Sequence, residues 1–180
     1  MNQDCLPLPP SPWVRRFASL IVPGGTVLDI ACGSGRHSRY LAGLGFDVLA
    51  VDKDEAALAE LAGVPGIRTL QADLEDKAWP LGGRQFDAIV VTNYLWRPLF
   101  PMLLASVSDQ GVLIYETFMV GNEAFGKPQN PAFLLRPGEL LDVTARRLTP
   151  VAFEQGEVQI PRPAMVQRLC AVRRGPTPLP

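Results

Sequence analysis

The segment Phe86-Asp87-Ala88-Ile89-Val90-Val91-Thr92 constrains the fold more than any other part of the chain. Its apolar residues run on without the alternation of a strand that has one wet face. A run of this kind suits a strand covered on both faces, as in a parallel sheet held between layers of helices. Apolar runs recur at Thr26 to Ala31, Asp47 to Val51, Ile67 to Ala72 and Gly111 to Phe118. Helical patterns separate them, from Ser34 or Gly35 to about Leu44, from Asp54 to about Ala62, and from Arg97 to Val107. An earlier helix is predicted with Ser11 as N-cap and Pro12 at its first position, which puts Trp13, Phe17 and Leu20 on one face. A loop from Met119 to Pro137 leads to a helix ending near Thr144, then to strands at Leu148 to Glu157 and Val166 to Arg173. This alternation specifies a Rossmann-like three-layer α/β sandwich, with a mostly parallel seven-stranded sheet and a C-terminal antiparallel hairpin.

The chain has 180 residues, a length that fits one domain, with proline-rich tails at residues 1–10 and 175–180. The net charge of -1 argues against a broad nucleic-acid surface. Cys5, Cys32 and Cys170 lie far apart, so neither a disulfide framework nor a metal knuckle is expected. The first residues lack the basic and apolar regions of a signal peptide, and no apolar run is long enough to span a bilayer. The expectation is a cytoplasmic monomer or homodimer without membrane or metal.

Ligands of such sheets bind beyond the carboxyl ends of the strands, where the strand order reverses. The turn Ala31-Cys32-Gly33-Ser34-Gly35 lies at one such end. Glycine lets a ligand approach the main chain closely. The following helix offers unpaired N–H groups and the positive end of its dipole. On residue types alone a tight corner with no ligand is the lesser alternative, kept because a lone GxG is weak evidence. Asp29 adds a carboxylate inside an apolar strand, costly unless hydrogen-bonded or paired. It either braces the loop or accepts from an ammonium group, and the two roles can coexist. Asp52 ends the second strand, where an acid can accept from both hydroxyls of a ribose; Asp54 is better placed to cap the next helix. Asp73, followed by Leu74, ends the third strand; the pair either holds an adenine or is ordinary loop.

In order, VLDIACGSG, VDKD, QADLED and FDAIVVTNYL resemble the motifs of class I methyltransferases that use S-adenosylmethionine (SAM). The resemblance covers about Pro23 to Val120. It implies that Asp29, Ala31, Gly33 and Gly35 surround the amino-acid half of SAM, with Cys32 beside them. It places Asp52 and its neighbour Lys53 at the ribose, Asp73 and Leu74 at the adenine, and Asn93 beside the methionine moiety and the reaction centre. NYLWRPLF, GVLIYETF and NPAFLLRPGELL resemble a bacterial subgroup near the tellurite-resistance and thiopurine-type enzymes. That resemblance implies a small-molecule methyl acceptor.

Transfer from a sulfonium is an in-line displacement, and a base is needed only if the nucleophile must lose a proton. Candidates for catalytic work are Asn93, Tyr94, Glu116 and His37, with Trp96, Arg97 and Tyr115 near the mouth. His37 sits in the first turn of the helix after the glycines, where a buried structural role competes with a catalytic one. Arg97 either attracts an anionic substrate or serves its own helix. Glu116 is either a base or half of an ion pair. The loop from Met119 to Pro137 is either a lid or a static connection.

Three other functions compete. A nicotinamide oxidoreductase is disfavoured because Ser38 stands at the third glycine of GxGxxG, and Asp29 would repel a pyrophosphate. A nucleic-acid methyltransferase is disfavoured because Asn93-Tyr94-Leu95-Trp96 lacks the prolines of an NPPY-like motif. A binding module for SAM or S-adenosylhomocysteine without turnover stays open, since fold and ligand do not prove catalysis.

Overall fold

The computed structural model describes residues 9–75 and 78–173, so most of both proline-rich tails, with Cys5, lies outside the described residues. Seven strands form one sheet: β1 (Thr26–Ile30), β2 (Asp47–Asp52), β3 (Ile67–Gln71), β4 (Phe86–Thr92), β5 (Val107–Phe118), β6 (Thr149–Val158) and β7 (Ala164–Val172). Their spatial order is β3-β2-β1-β4-β5-β7-β6. The first five run parallel, while β7 lies antiparallel between β5 and β6. The architecture is the one the apolar runs predict.

The period of two along each strand builds the layers. Val27 and Val48 face one layer, which holds α1 (Pro12–Phe17) and α2 (Arg36–Gly43). Ala50, on the same side of β2, packs with Leu58 of α3 (Glu55–Ala59). Leu28, Ile30, Leu49 and Val51 face the other way, onto α4 (Phe100–Ser106) and α5 (Glu139–Thr144). Helix α1 is too short to persist alone, since isolated helices below about 12–15 residues are marginal. Packing holds it: Trp13, Val14 and Phe17 are buried, and the Trp13 and Phe17 rings meet edge-on at 4.6 Å. Each such side chain contributes about 1.5–3 kcal/mol by leaving water. Ser11 caps the helix as expected, its side chain accepting from the Trp13 N–H.

Proline and glycine move several boundaries. The helix expected from Arg97 begins as a 3₁₀ turn, Arg97–Leu99, and becomes α-helical only at Phe100, with Pro98 and Pro101 in the two first turns. Helix α3 stops at Ala59, short of Ala62, with Gly63 in a left-handed conformation beyond it. Strand β5 begins at Val107 rather than Gly111, across a register shift opposite Phe86 and Ala88.

The amino ends of the central strands are stapled by Asp87. Its Oδ2 accepts from the Thr26 N–H at 2.9 Å and the Thr26 hydroxyl at 3.0 Å, and its Oδ1 accepts from the Ser108 hydroxyl at 3.1 Å. One carboxylate thus ties β1, β4 and β5 together. Asp87→Ala leaves the half-buried Thr26 N–H without its acceptor and should lower stability by about 2–3 kcal/mol. Urea denaturation followed by circular dichroism measures it, and a loss below about 0.5 kcal/mol contradicts the staple.

Candidate cofactor site

The sheet order reverses between β1 and β4. Strands β2 and β3 lie to one side of that pair and β5 to the other. Both central strands end in a left-handed residue that is not glycine: Ala31 has φ 51° and Asn93 has φ 55°. They are the two non-glycine residues with positive φ among the described residues. Conformations of this kind cost about 1–3 kcal/mol each and persist only where the surroundings impose them. Here the ladders impose them. The Cys32 N–H still donates to the Val51 carbonyl at 3.1 Å, and the Asn93 N–H donates to the Glu116 carbonyl at 2.9 Å.

Two glycines shape the turn after β1. Gly35 caps α2 with φ 76°, and a Cβ there would come within 2.5 Å of the buried Leu61 side chain. At Gly33, φ is 55° and a Cβ would meet nothing within 4 Å, so the main chain is open to close approach on that side. The Gly33 N–H donates to Asp52 Oδ2 at 2.8 Å, and the Asp54 N–H donates to Asp52 Oδ1 at 3.0 Å. Asp52 therefore braces the turn across two strand ends. Each of its oxygens keeps a second lone pair for a ligand.

Asp29 points from β1 to the first turn of α2 and is buried. Its Oδ2 accepts from the Ser38 hydroxyl at 2.6 Å, and its Oδ1 has no partner. Burial pushes its carboxyl up to about 6; the Ser38 hydrogen bonds and the Arg36 charge pull the other way, and Asp52 adds repulsion. The Cys32 thiol donates to the Gly33 carbonyl at 3.4 Å and is pushed far up by burial and by the Asp29 and Asp52 charges, so it is no nucleophile.

Other predicted residues divide. Lys53 and Asn93 are exposed. Asp73 is exposed and accepts from the Glu75 N–H at 3.0 Å, while Leu74 turns into the core rather than outward. Tyr94 is half-buried with an unpartnered hydroxyl; burial, then the charges of Glu75, Asp73 and Asp52, push its phenol up. Those charges bring Tyr94 into the neighbourhood of the β2 and β3 ends. Tyr115 fixes the same loop by donating its hydroxyl to the Tyr94 carbonyl at 2.9 Å.

Three further candidates have partners within the protein. His37 is buried, and its Nε2 accepts from the Ser11 N–H at 3.1 Å. The neutral ring therefore carries its proton on Nδ1, which donates to Thr92 Oγ1 at 3.3 Å. Burial, then the Arg36 charge, lowers its pKa to about 3. His37 ties α1 to β4 and has no nitrogen left for a substrate. Glu116 pairs with Arg168 at 2.5 Å, its direct antiparallel partner on β7, so it is half of an ion pair. Arg97 is used up as well. It donates from Nε to Glu139 Oε1 at 2.7 Å, from Nη2 to Glu139 Oε2 at 2.9 Å and to the Leu134 carbonyl at 2.8 Å, and from Nη1 to the Ala132 carbonyl at 2.7 Å. These bonds, with the Val120–Leu135 and Leu135–Phe118 main-chain bonds, tie residues 132–135 to Arg97 and to the end of β5.

Glu139 went unread in the sequence because an acid after Gly138 looks like an ordinary first-turn residue. Burial raises its carboxyl, but the hydrogen bonds from Arg97 and then Arg136 outweigh that and hold it at about 2. Among the described residues, no group of three or more His, Cys, Asp or Glu could hold a metal, and no helix is long and apolar enough to cross a membrane.

A buried unpartnered carboxylate oxygen, an open glycine and three carboxylates at successive strand ends fit a ligand bearing an ammonium group and a ribose. That combination is the one the class I resemblance implies. Residues 27–109 match the family model described as "Methyltransferase domain". The Bacillus subtilis (strain 168) protein YqeM, whose name assigns it provisionally to the methyltransferases, is 28% identical over 117 residues, covering 58% of this chain and 47% of YqeM. TehB from Haemophilus influenzae superposes with a TM-score of 0.73 at 21% identity, covering 89% of this chain and 61% of TehB. The glycopeptide N-methyltransferase MtfA, crystallised with S-adenosyl-L-homocysteine, superposes with a TM-score of 0.65 at 18% identity, covering 97% and 94% of the two chains. The chain spans less than two thirds of the length of YqeM and of TehB. Residues 27–109 thus resemble a methyltransferase domain, and the chain has the Rossmann-like fold of the structures it superposes on.

Asp29 generates a pH signature. Its folded pKa of about 6 lies above the 3.8 of an ordinary aspartate, so the folded state holds the proton more tightly than the unfolded chain. The stabilisation is present below the unfolded value and is lost as pH rises through the folded one. Asp29→Asn removes this dependence. The Tm of the variant minus that of the wild type, both without ligand, should increase from about pH 4 to about pH 7, by an amount equivalent to roughly 3 kcal/mol. A difference that is flat with pH contradicts the assignment.

Proposed function

We propose that this chain transfers the methyl group of SAM to a small-molecule acceptor, as one domain whose sheet runs from Thr26 to Val172. The observation that carries the reading is the pair of imposed left-handed residues, Ala31 and Asn93, at the carboxyl ends of the two strands that flank the switch point. When bound, SAM supplies an electrophilic methyl group on its sulfonium.

Asp29 Oδ1, which lacks a donor in the free chain, would accept from the ammonium of the amino-acid half. Ala31, Cys32, Gly33 and Gly35 would form the wall beside it, with the open face of Gly33 allowing close approach. Asp52 would take the ribose hydroxyls on its second lone pairs, with Lys53 next to it, and Asp73 would take the adenine amino group. Leu74 supports that end from the core side. Asn93 and Tyr94 would flank the reaction centre.

The chain's contribution to the chemistry would be alignment and exclusion of water. With His37, Glu116 and Arg97 committed to partners, no side chain of that set is available to take a proton. This supports acceptors that attack unaided, either soft nucleophiles or groups already ionised. The net charge of -1 supports a small molecule over nucleic acid.

Asp52→Ala removes two ribose hydrogen bonds and should weaken SAM binding by about 1–3 kcal/mol in titration calorimetry. Unchanged affinity would sink the ribose assignment. Incubation with methyl-labelled SAM and a panel of thiols, metalloid oxyanions and organic acids separates an enzyme from a binding module; binding without any labelled product favours the module.

A further inference from the structure

A second concavity, of about 510 Å³, opens between the loop after β5 and the β6–β7 turn. Its volume falls in the range of small-molecule pockets, about 300–1,000 Å³. Phe118, Pro128 and Phe133 supply apolar walls, and Lys127 and Arg162 supply the charges. No carboxylate lines it. The Arg162 guanidinium lies 5.9 Å from the Phe118 ring centre. Neither Lys127 nor Arg162 has an ion-pair partner among the described residues. The nearest acid in the loop, Glu123, instead accepts from the Gly121 N–H at 2.6 Å.

The walls are built before any ligand arrives. Asn122 is buried; its amide donates to the Pro128 carbonyl at 3.2 Å and accepts from the Met165 N–H at 3.2 Å, tying the loop to β7. Asn130 Oδ1 accepts from the Ala132 N–H at 3.0 Å, and Arg97 holds the Ala132 and Leu134 carbonyls. A wall fixed in this way spares the ligand the cost of ordering it. Val120, Phe125, Phe133 and Ile160, four of the six large exposed apolar residues among the described residues, lie in the two segments that enclose the concavity. Phe118 ends β5, the neighbour of β4, so the concavity opens at the same carboxyl edge of the sheet as Asn93.

We propose that this concavity anchors the methyl acceptor, and that the acceptor is a small organic anion with an aromatic or branched apolar body. The anionic group lies between Lys127 and Arg162, and the body packs on Phe118 and Phe133. The inference rests on the SAM-dependent reading of the switch-point site and adds the substrate class to it. It also gives the Arg97–Glu139 clamp a use: Arg97 is a positioning residue for the anion site and not itself the anion's partner.

The test uses a charged probe and its uncharged counterpart on the full chain. 8-Anilinonaphthalene-1-sulfonate and N-phenyl-1-naphthylamine are titrated by fluorescence into the wild type and into Lys127→Glu/Arg162→Glu. The same preparations are titrated with S-adenosylhomocysteine by calorimetry. The wild type should bind the sulfonate saturably and about tenfold or more tightly than the amine, and the double variant should lose that preference by a similar factor. S-adenosylhomocysteine affinity should not change. The thiolate of a mercaptobenzoate, its carboxylate held between Lys127 and Arg162, should then take the labelled methyl group from SAM and release S-adenosylhomocysteine, whereas the corresponding amides should stay unlabelled. Sulfonate binding that ignores the charge reversal, amine binding as tight as sulfonate binding, or label in the amides or in neither class overturns the inference. Failure of S-adenosylhomocysteine to bind the wild type overturns the SAM reading instead, and the two probes still decide whether the concavity takes organic anions.

Discussion

The parallel pairing of β1 with β4 is the constraint on which the rest depends. The chain leaves this pair in opposite directions across the sheet, so α2 and α4 fall on opposite faces. Neither helix can cover the gap above the two carboxyl ends. Into that gap both strands turn through Ala31 and Asn93 in a backbone region that disfavours any side chain. The strands can hold those two residues there because they are anchored along their whole length. Val27, Leu28 and Ile30 on one side, and Ala88, Ile89, Val90 and Val91 on the other, are completely buried. The stability of the middle of the sheet sustains the strain at its end.

Three buried carboxylates illustrate how selectively the interior deals with charge. Glu116 meets Arg168, and Glu139 meets Arg97 with Arg136 beside it. Each of these acids thus faces a guanidinium inside the protein. Asp29 receives only a hydroxyl, from Ser38, and one of its oxygens goes unpartnered. The interior could have matched it with a guanidinium as it did the other two. Of these three buried acids, the one without a guanidinium lies at the switch point.

Much of the fold was legible because a buried strand leaves a local mark. The run at 86–92 and its four parallel companions could be placed within a few residues, and the acids at 29, 52 and 73 fell at strand ends because the strands did. Boundaries moved where proline and glycine act, at Pro98, Pro101 and Gly63. The partners across space were not legible. Periodicity reports that a side chain turns inward and is silent about what it meets there. Glu116 looked like a base or an ion-pair member until β7 was seen to run beside β5, bringing Arg168 opposite it. His37 could be read as structural or catalytic until Ser11 and Thr92 were found on its two nitrogens. Arg97 and Glu139, 42 positions apart, carry no local signal of each other. The concavity between residues 127–133 and Arg162 was likewise invisible, since it is made by two loops that meet only in the folded sheet.

The insertion of β7 between β5 and β6 also sets an order of events on the ribosome. Strand β6 is made first, yet it touches the sheet only through β7. Until Ala164–Val172 has emerged, the nascent chain presents the bare edge of β5, a twelve-residue strand rich in apolar side chains. Unpaired edges of that length invite pairing with other chains. Translation of the last strand is therefore the step that seals the sheet, and every earlier stage of synthesis is a window in which a chaperone that recognises extended apolar segments has something to hold.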